Sequence, residues 1–73
     1  MTFGAWLDRQ KRMNGLKQGQ VGKDLKISQV QISLYANGGR IPSLDRRREI
    51  ETYTKGEVMA ELEFDWPRKE VEA

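Results

Sequence analysis

The sequence predicts an all-α fold, a compact domain of four to five helices, and three observations carry that reading. Phe3, Trp6, Leu7, Gln10 and Met13, all apolar but Gln10, follow one another at three- and four-residue spacing in the first half, which reads as one stripe of an amphipathic helix. Hydroxyl residues with N-cap chemistry, Thr2, Ser28 and Ser43, stand just before the helical segments. The run Asn37-Gly38-Gly39-Arg40-Ile41-Pro42-Ser43-Leu44 stops one helix and starts the next, a connector poorly suited to precede an edge strand.

The first helix follows Thr2 and ends at Asn14-Gly15, two residues that tolerate the left-handed conformation. A second runs from about Gln18 to Leu25 with Val21 and Leu25 on one face. Gly19 and Gly22 each cost it about 1 kcal/mol relative to alanine, so tertiary packing must hold it. Lys26-Ile27 breaks the chain, and Ser28 caps a third helix from Gln29 to Ala36. The fourth starts at Ser43-Leu44, because proline pushes the preceding residue out of the helical region, and runs to about Tyr53. Its stripe of Leu44 and Ile50 lines up if Arg47 lays its aliphatic stem on the core. Beyond Gly56 the reading forks. Val58, Ala60, Leu62, Phe64 and Trp66 alternate with Met59, Glu61, Glu63 and Asp65, the period of a half-buried strand. A C-terminal β-hairpin turning at Lys55-Gly56, giving an α+β fold of three helices and a hairpin, is therefore the alternative to a short fifth helix.

A chain of 73 residues makes one minimal domain with a modest core. Residues 1–67 read as that domain and residues 68–73 as a charged flexible tail. With neither cysteine nor histidine, disulfides and the usual zinc, haem and imidazole chemistries fall away. Neither a nucleophile–base pair nor a phosphate-binding glycine fingerprint is present, so the sequence reads as a non-enzyme that needs no cofactor, metal or small-molecule ligand. No apolar run approaches the roughly 20 residues that span a bilayer, and a cytoplasmic location is expected. Charge is lopsided: ten Lys and Arg face three acids between Met1 and Arg48, and three face eight from Glu49 onward. The basic block suits a polyanion, with the acidic end held away from it.

Residues 18 to 38, QGQVGKDLKISQVQISLYANG, carry a spaced pattern. Val21, Gly22 and Leu25 are followed by Ile27, Ile32 and Tyr35, with Ser28-Gln29 and Asn37-Gly38 between and after them. The segment resembles the helix-turn-helix of the Cro and CI-type phage regulators, the lambda-repressor-like DNA-binding domains. The resemblance implies that Val21 and Leu25 face the core, that Gly22 stands where a small residue is required, that Ile27 fills the pocket after the turn, and that Ile32 and Tyr35 are the buried positions of the next helix. One departure is Lys26, where that family usually has glycine at a positive φ; lysine there costs of order 1 kcal/mol and adds a cation. The resemblance continues through Ile41-Pro42-Ser43-Leu44, Ile50-Glu51 and Thr54-Lys55-Gly56-Glu57-Val58, as in all-helical members, while residues 56–67 also resemble the hairpin arm of Cro-type members.

The resemblance implies a sequence-specific, double-stranded-DNA-binding transcriptional regulator, a repressor of phage or prophage origin. It would work in a bacterial cell or phage-infected host, associated with the nucleoid, and bind a palindromic operator as a homodimer, at least when on DNA. The second motif helix, residues 28–37, would lie in the major groove. Ser28, Gln29, Val30 and Leu34 are the expected base readers: a glutamine amide matches adenine N7 and N6, and exposed Val30 and Leu34 would meet thymine methyl groups. Val30 and Leu34 also fit a protein-contact surface. Lys17, Gln18, Lys23, Lys26, Gln31, Ser33, Asn37 and Arg40 suit backbone oxygens, with Gln18 bracing Gln29 by resemblance. Arg46-Arg47-Arg48 reads as a solvated helix face or a phosphate clamp. Phe64 and Trp66 are the candidates for a dimer contact. The alternative function is an antitoxin-like or adaptor protein-interaction module using Val30, Leu34 and the acidic tail.

Overall fold

Five side-chain and glycine caps mark out the helices in a computed structural model that describes residues 1–68. Thr2 is extended and its hydroxyl accepts from the Ala5 amide (3.1 Å), opening α1, Phe3–Asn14, which closes on left-handed Gly15. After α2, Gln18–Leu25, the Ser28 hydroxyl accepts from the Gln31 amide (3.2 Å) and opens α3, Gln29–Asn37, closed by left-handed Gly38. Ser43 accepts from the Arg46 amide (3.3 Å) and opens α4, Leu44–Tyr53. Each hydroxyl satisfies an orphan N–H of the first turn, worth about 1 kcal/mol.

The fold is all-α, with no strand among the described residues. α1 and α2 both pack on α3, and α2 also meets α4. The core is Phe3, Trp6, Leu7, Val21, Ile27, Ile32, Ile50, Val58 and Trp66. Phe3 stacks on Trp6 (ring centroids 6.3 Å apart) and touches Trp66 (5.8 Å), while Tyr53 meets Trp6 edge-on (5.8 Å). α1 approaches α3 so closely at Gly4 that a Cβ there would stand 2.5 Å from the Ala36 carbonyl oxygen. The apolar stripe of α1 stops short of its expected end: Met13 is 74% exposed, and beyond the Gly15 turn Leu16 packs against the core instead. On α4, Ile50 is buried and Leu44 exposed. Arg47, half-buried, turns its guanidinium back to the Ala60 carbonyl (2.9 Å).

After α4 the described residues form neither the hairpin nor a fifth α-helix; their regular structure there is a 3₁₀ turn at Glu63–Asp65. The reason lies in three consecutive amides. Val58 N donates to Thr54 Oγ1 (3.1 Å), Met59 N to Asp65 Oδ2 (2.8 Å) and Ala60 N to Glu51 Oε1 (2.9 Å). Side chains thus take the donors that a strand ladder would need. The strand-like alternation breaks accordingly: Val58, Ala60 and Trp66 are buried, whereas Leu62 and Phe64 are exposed.

Trp66 is corrected from a dimer candidate to a core residue. It is 5% exposed, packs on Phe3 and donates its indole N–H to the Met59 carbonyl (3.0 Å), so the ring the sequence offers to a partner is consumed within the chain. Phe64, by contrast, is 88% exposed. Of the expected tail, residues 69–73 lie outside the described residues.

Candidate nucleic-acid interface

α2 and α3 are joined by a turn whose geometry depends on two residues. Lys26 adopts φ 58°, ψ 41°, the left-handed conformation, and Ile27 returns its amide to the Gly22 carbonyl (2.8 Å). The tight fit at Gly22 comes from the turn itself: a Cβ there would sit 2.5 Å from the Ile27 carbonyl oxygen and 3.5 Å from Ile32 Cγ1. Val21, Ile27 and Ile32 are buried beneath, and Leu25 and Tyr35 partly so. The spaced apolar pattern of the sequence is thus the underside of the α2–turn–α3 unit.

Its outer side is the exposed face of α3. Ser28, Gln29, Val30, Ser33 and Asn37 are exposed, Val30 at 70%. Ser28 is fixed as the N-cap, so its hydroxyl is committed to the Gln31 amide. Gln29 and Gln18 share the walls of one depression with Lys11 and Lys17, and Gln29 leans across α2 so that a Cβ on Gly19 would lie 3.4 Å from its Oε1. Gln18 and Gln29 line this cleft with no hydrogen bond between them among the described residues, and Lys11 joins it from α1, a neighbour with no signal in the motif spacing. Ser33 faces the groove between α1 and α3, beside Lys11 and Gln18.

Two expected contacts are already engaged. Asn37 Oδ1 accepts from the Gly39 amide (2.8 Å), closing the turn after α3, and Gln31 Oε1 accepts from Arg40 Nη1 (3.3 Å). Leu34 differs from expectation: it is half-buried, not exposed. Its carbonyl takes the amides of Gly39 (3.0 Å) and Arg40 (3.3 Å), which folds the following turn over its side chain; a Cβ on Gly39 would be 3.0 Å from Leu34 Cδ2.

Charge is sorted between the two ends. Among the described residues the arginines of α4 have partners within the chain: Arg46 pairs with Glu49 (3.0 Å), Arg48 with Glu61 (3.5 Å), and Arg47 donates to the Ala60 carbonyl. Arg12 pairs with Asp8 (3.2 Å) and Arg9 with Glu57. Lys17, Lys23 and Lys26, around the motif, are exposed and enter no ion pair within the described residues. The one acid of α2, Asp24, turns toward α4: it accepts from Gln20 Nε2 (2.9 Å) and from the Tyr53 hydroxyl (2.7 Å). Burial, then the Asp24 hydrogen bond and charge, push the Tyr53 hydroxyl up to about 12. Glu57 is held below the usual carboxylate range by hydrogen bonds, first from Arg9 and then from the Trp6 indole, the latter at 2.9 Å.

Among the described residues no cluster of three or more Asp, Glu, His or Cys could hold a metal ion, and no helix is long and apolar enough to cross a membrane. No family model, curated protein or solved structure matches the chain.

Proposed function

We propose that the chain is a sequence-specific regulator of transcription that binds double-stranded operator DNA, a repressor of the Cro and CI type working as a homodimer on a palindromic site. One observation carries the reading: a helix-turn-helix unit presents the exposed N-terminal end of α3, with Gln29 and Val30, amid cations unpaired within the described residues, while eight of the eleven acids fall from Glu49 onward. Such an end fits the major groove, and the surrounding lysines fit phosphate oxygens. Gln29 would read adenine and Val30 a thymine methyl, with Lys17, Lys23 and Lys26 on the backbone. A single module buries too little surface for tight specific binding, which favours two half-sites about one helical turn apart.

Selection from a randomised duplex library tests this. A palindromic consensus is expected, and Gln29→Ala should weaken binding to it by about 1 to 3 kcal/mol while relaxing one base pair. Retention of all duplexes alike would rule out specific recognition. The exposed Phe64, Leu62 and Met59 favour a second reading, an antitoxin-like or adaptor module that binds protein. It predicts binding nearly indifferent to salt between about 50 and 200 mM, whereas several phosphate contacts would cost DNA binding orders of magnitude.

A further inference from the structure

Arg40 lies beyond α3, yet its guanidinium is not at that end of the helix. The Arg40 amide is tied to the Leu34 carbonyl (3.3 Å), so the chain doubles back along α3. Its Nη1 then donates to Oε1 of Gln31 (3.3 Å), nearly a turn nearer the start of the helix than Leu34. Gln31 is half-buried on the flank of α3, and Leu34, between them, is half-covered by the turn. The edge of the reading face where an exposed leucine is expected is therefore bordered by a cation held back toward the first turn of α3.

A guanidinium carries five N–H donors, and Gln31 occupies one, leaving a fork that fits either two phosphate oxygens or the O6 and N7 acceptors of guanine. A phosphate contact needs no bracing, because a charge on a flexible stem finds the backbone from many rotamers. A single solvent-exposed hydrogen bond to the Gln31 amide biases the direction of the fork, and direction matters for reading a base edge. On the DNA-binding reading above, we propose that Arg40 is a specificity-determining residue that recognises one guanine per half-site in the major groove, with Gln31 as its positioning residue.

The test uses the full chain and the duplex it selects from a random library. Each guanine is replaced in turn by 7-deazaguanine, which removes the N7 acceptor and leaves every phosphate in place. One replacement is expected to weaken wild-type binding by about 5- to 150-fold, to have no effect on Arg40→Ala, and to have a reduced effect on Gln31→Ala, whose salt dependence stays that of the wild type. Equal weakening of Arg40→Ala on selected and random duplexes, with a flatter salt slope and the 7-deazaguanine effect intact, would make Arg40 a phosphate contact and overturn the proposal while specific DNA binding stands. An undiminished guanine effect in Gln31→Ala would remove the positioning role. If the wild-type chain enriches no sequence, the DNA reading falls and this proposal with it.

Discussion

The motif of α2 and α3 and the segment from Thr54 to Trp66 use polar residues in opposite ways. In the motif, backbone groups are satisfied by helix geometry and by caps at Ser28 and Gly38, and Gln29, Ser33, Lys17, Lys23 and Lys26 are left with no side-chain partner among the described residues. In the C-terminal segment, Thr54, Asp65 and Glu51 spend their oxygens on the amides of Val58, Met59 and Ala60, and Arg47 and Trp66 donate to the carbonyls of Ala60 and Met59. One region exports its chemistry and the other consumes it. A segment without a regular ladder must satisfy its buried backbone with side chains.

The largest effect should come from showing that the irregular segment is as much core as the helices are. Trp66→Ala, measured by urea denaturation, should cost about 3 to 5 kcal/mol, enough to leave a domain of this size mostly unfolded. Phe64→Ala, two residues away and exposed, should stay within about 0.5 kcal/mol of wild type. The same variant measures Phe64 as a dimer contact: sedimentation should show weakened self-association at unchanged monomer stability. Equal losses from the two substitutions would contradict the burial difference between them.

That pair also shows what the sequence made legible. The all-α class, the four helix starts and the buried positions Val21, Ile27 and Ile32 follow from capping chemistry and local spacing, because those signals act within a few residues. The burial of Trp66 is not legible because the residue lies in sequence beyond the four helices, and what buries it is tertiary: it packs on Phe3 of α1 and donates to the Met59 carbonyl. Leu34 was misread because the turn that covers it is set by its own carbonyl accepting from Gly39 and Arg40, which residue types alone do not encode. Lys11 and Gly4 escaped notice because their significance comes from where α1 crosses α3.

The seam between the regions is the Tyr53–Asp24 hydrogen bond, which ties α4 to α2, and pH should expose it. The folded chain keeps the Tyr53 proton up to about pH 12, against an ordinary value of 10.0. A raised pKa stabilises the fold below the unfolded value, so this contribution is full below about pH 10 and is lost as pH rises toward 12. Tyr53→Phe should cost about 1 kcal/mol at neutral pH, and its urea midpoint should converge on that of wild type between pH 10 and 12. A gap that stays constant across that range would mean that the hydroxyl does not hold α2 in place.

The smallest expected effect separates the regions most cleanly, because each has one lysine with φ 58°, Lys26 in the motif turn and Lys55 after α4. A non-glycine residue there is strained by of order 1 kcal/mol, while glycine gives back part of the gain through a freer unfolded chain. Lys26→Gly and Lys55→Gly should therefore each stabilise the fold by about 0.5 kcal/mol, read from the urea midpoint at constant m. Their effects on DNA should part. Losing Lys26 should weaken binding to all sequences and lower the salt slope by about 0.9, one phosphate contact, whereas losing Lys55 should leave both unchanged. The strain at residue 26 is then explained as the cost of placing a cation beside the backbone, and the matching strain at residue 55 belongs to the fold alone; a shared loss of DNA affinity would instead mean that the phosphate-facing surface extends past α4.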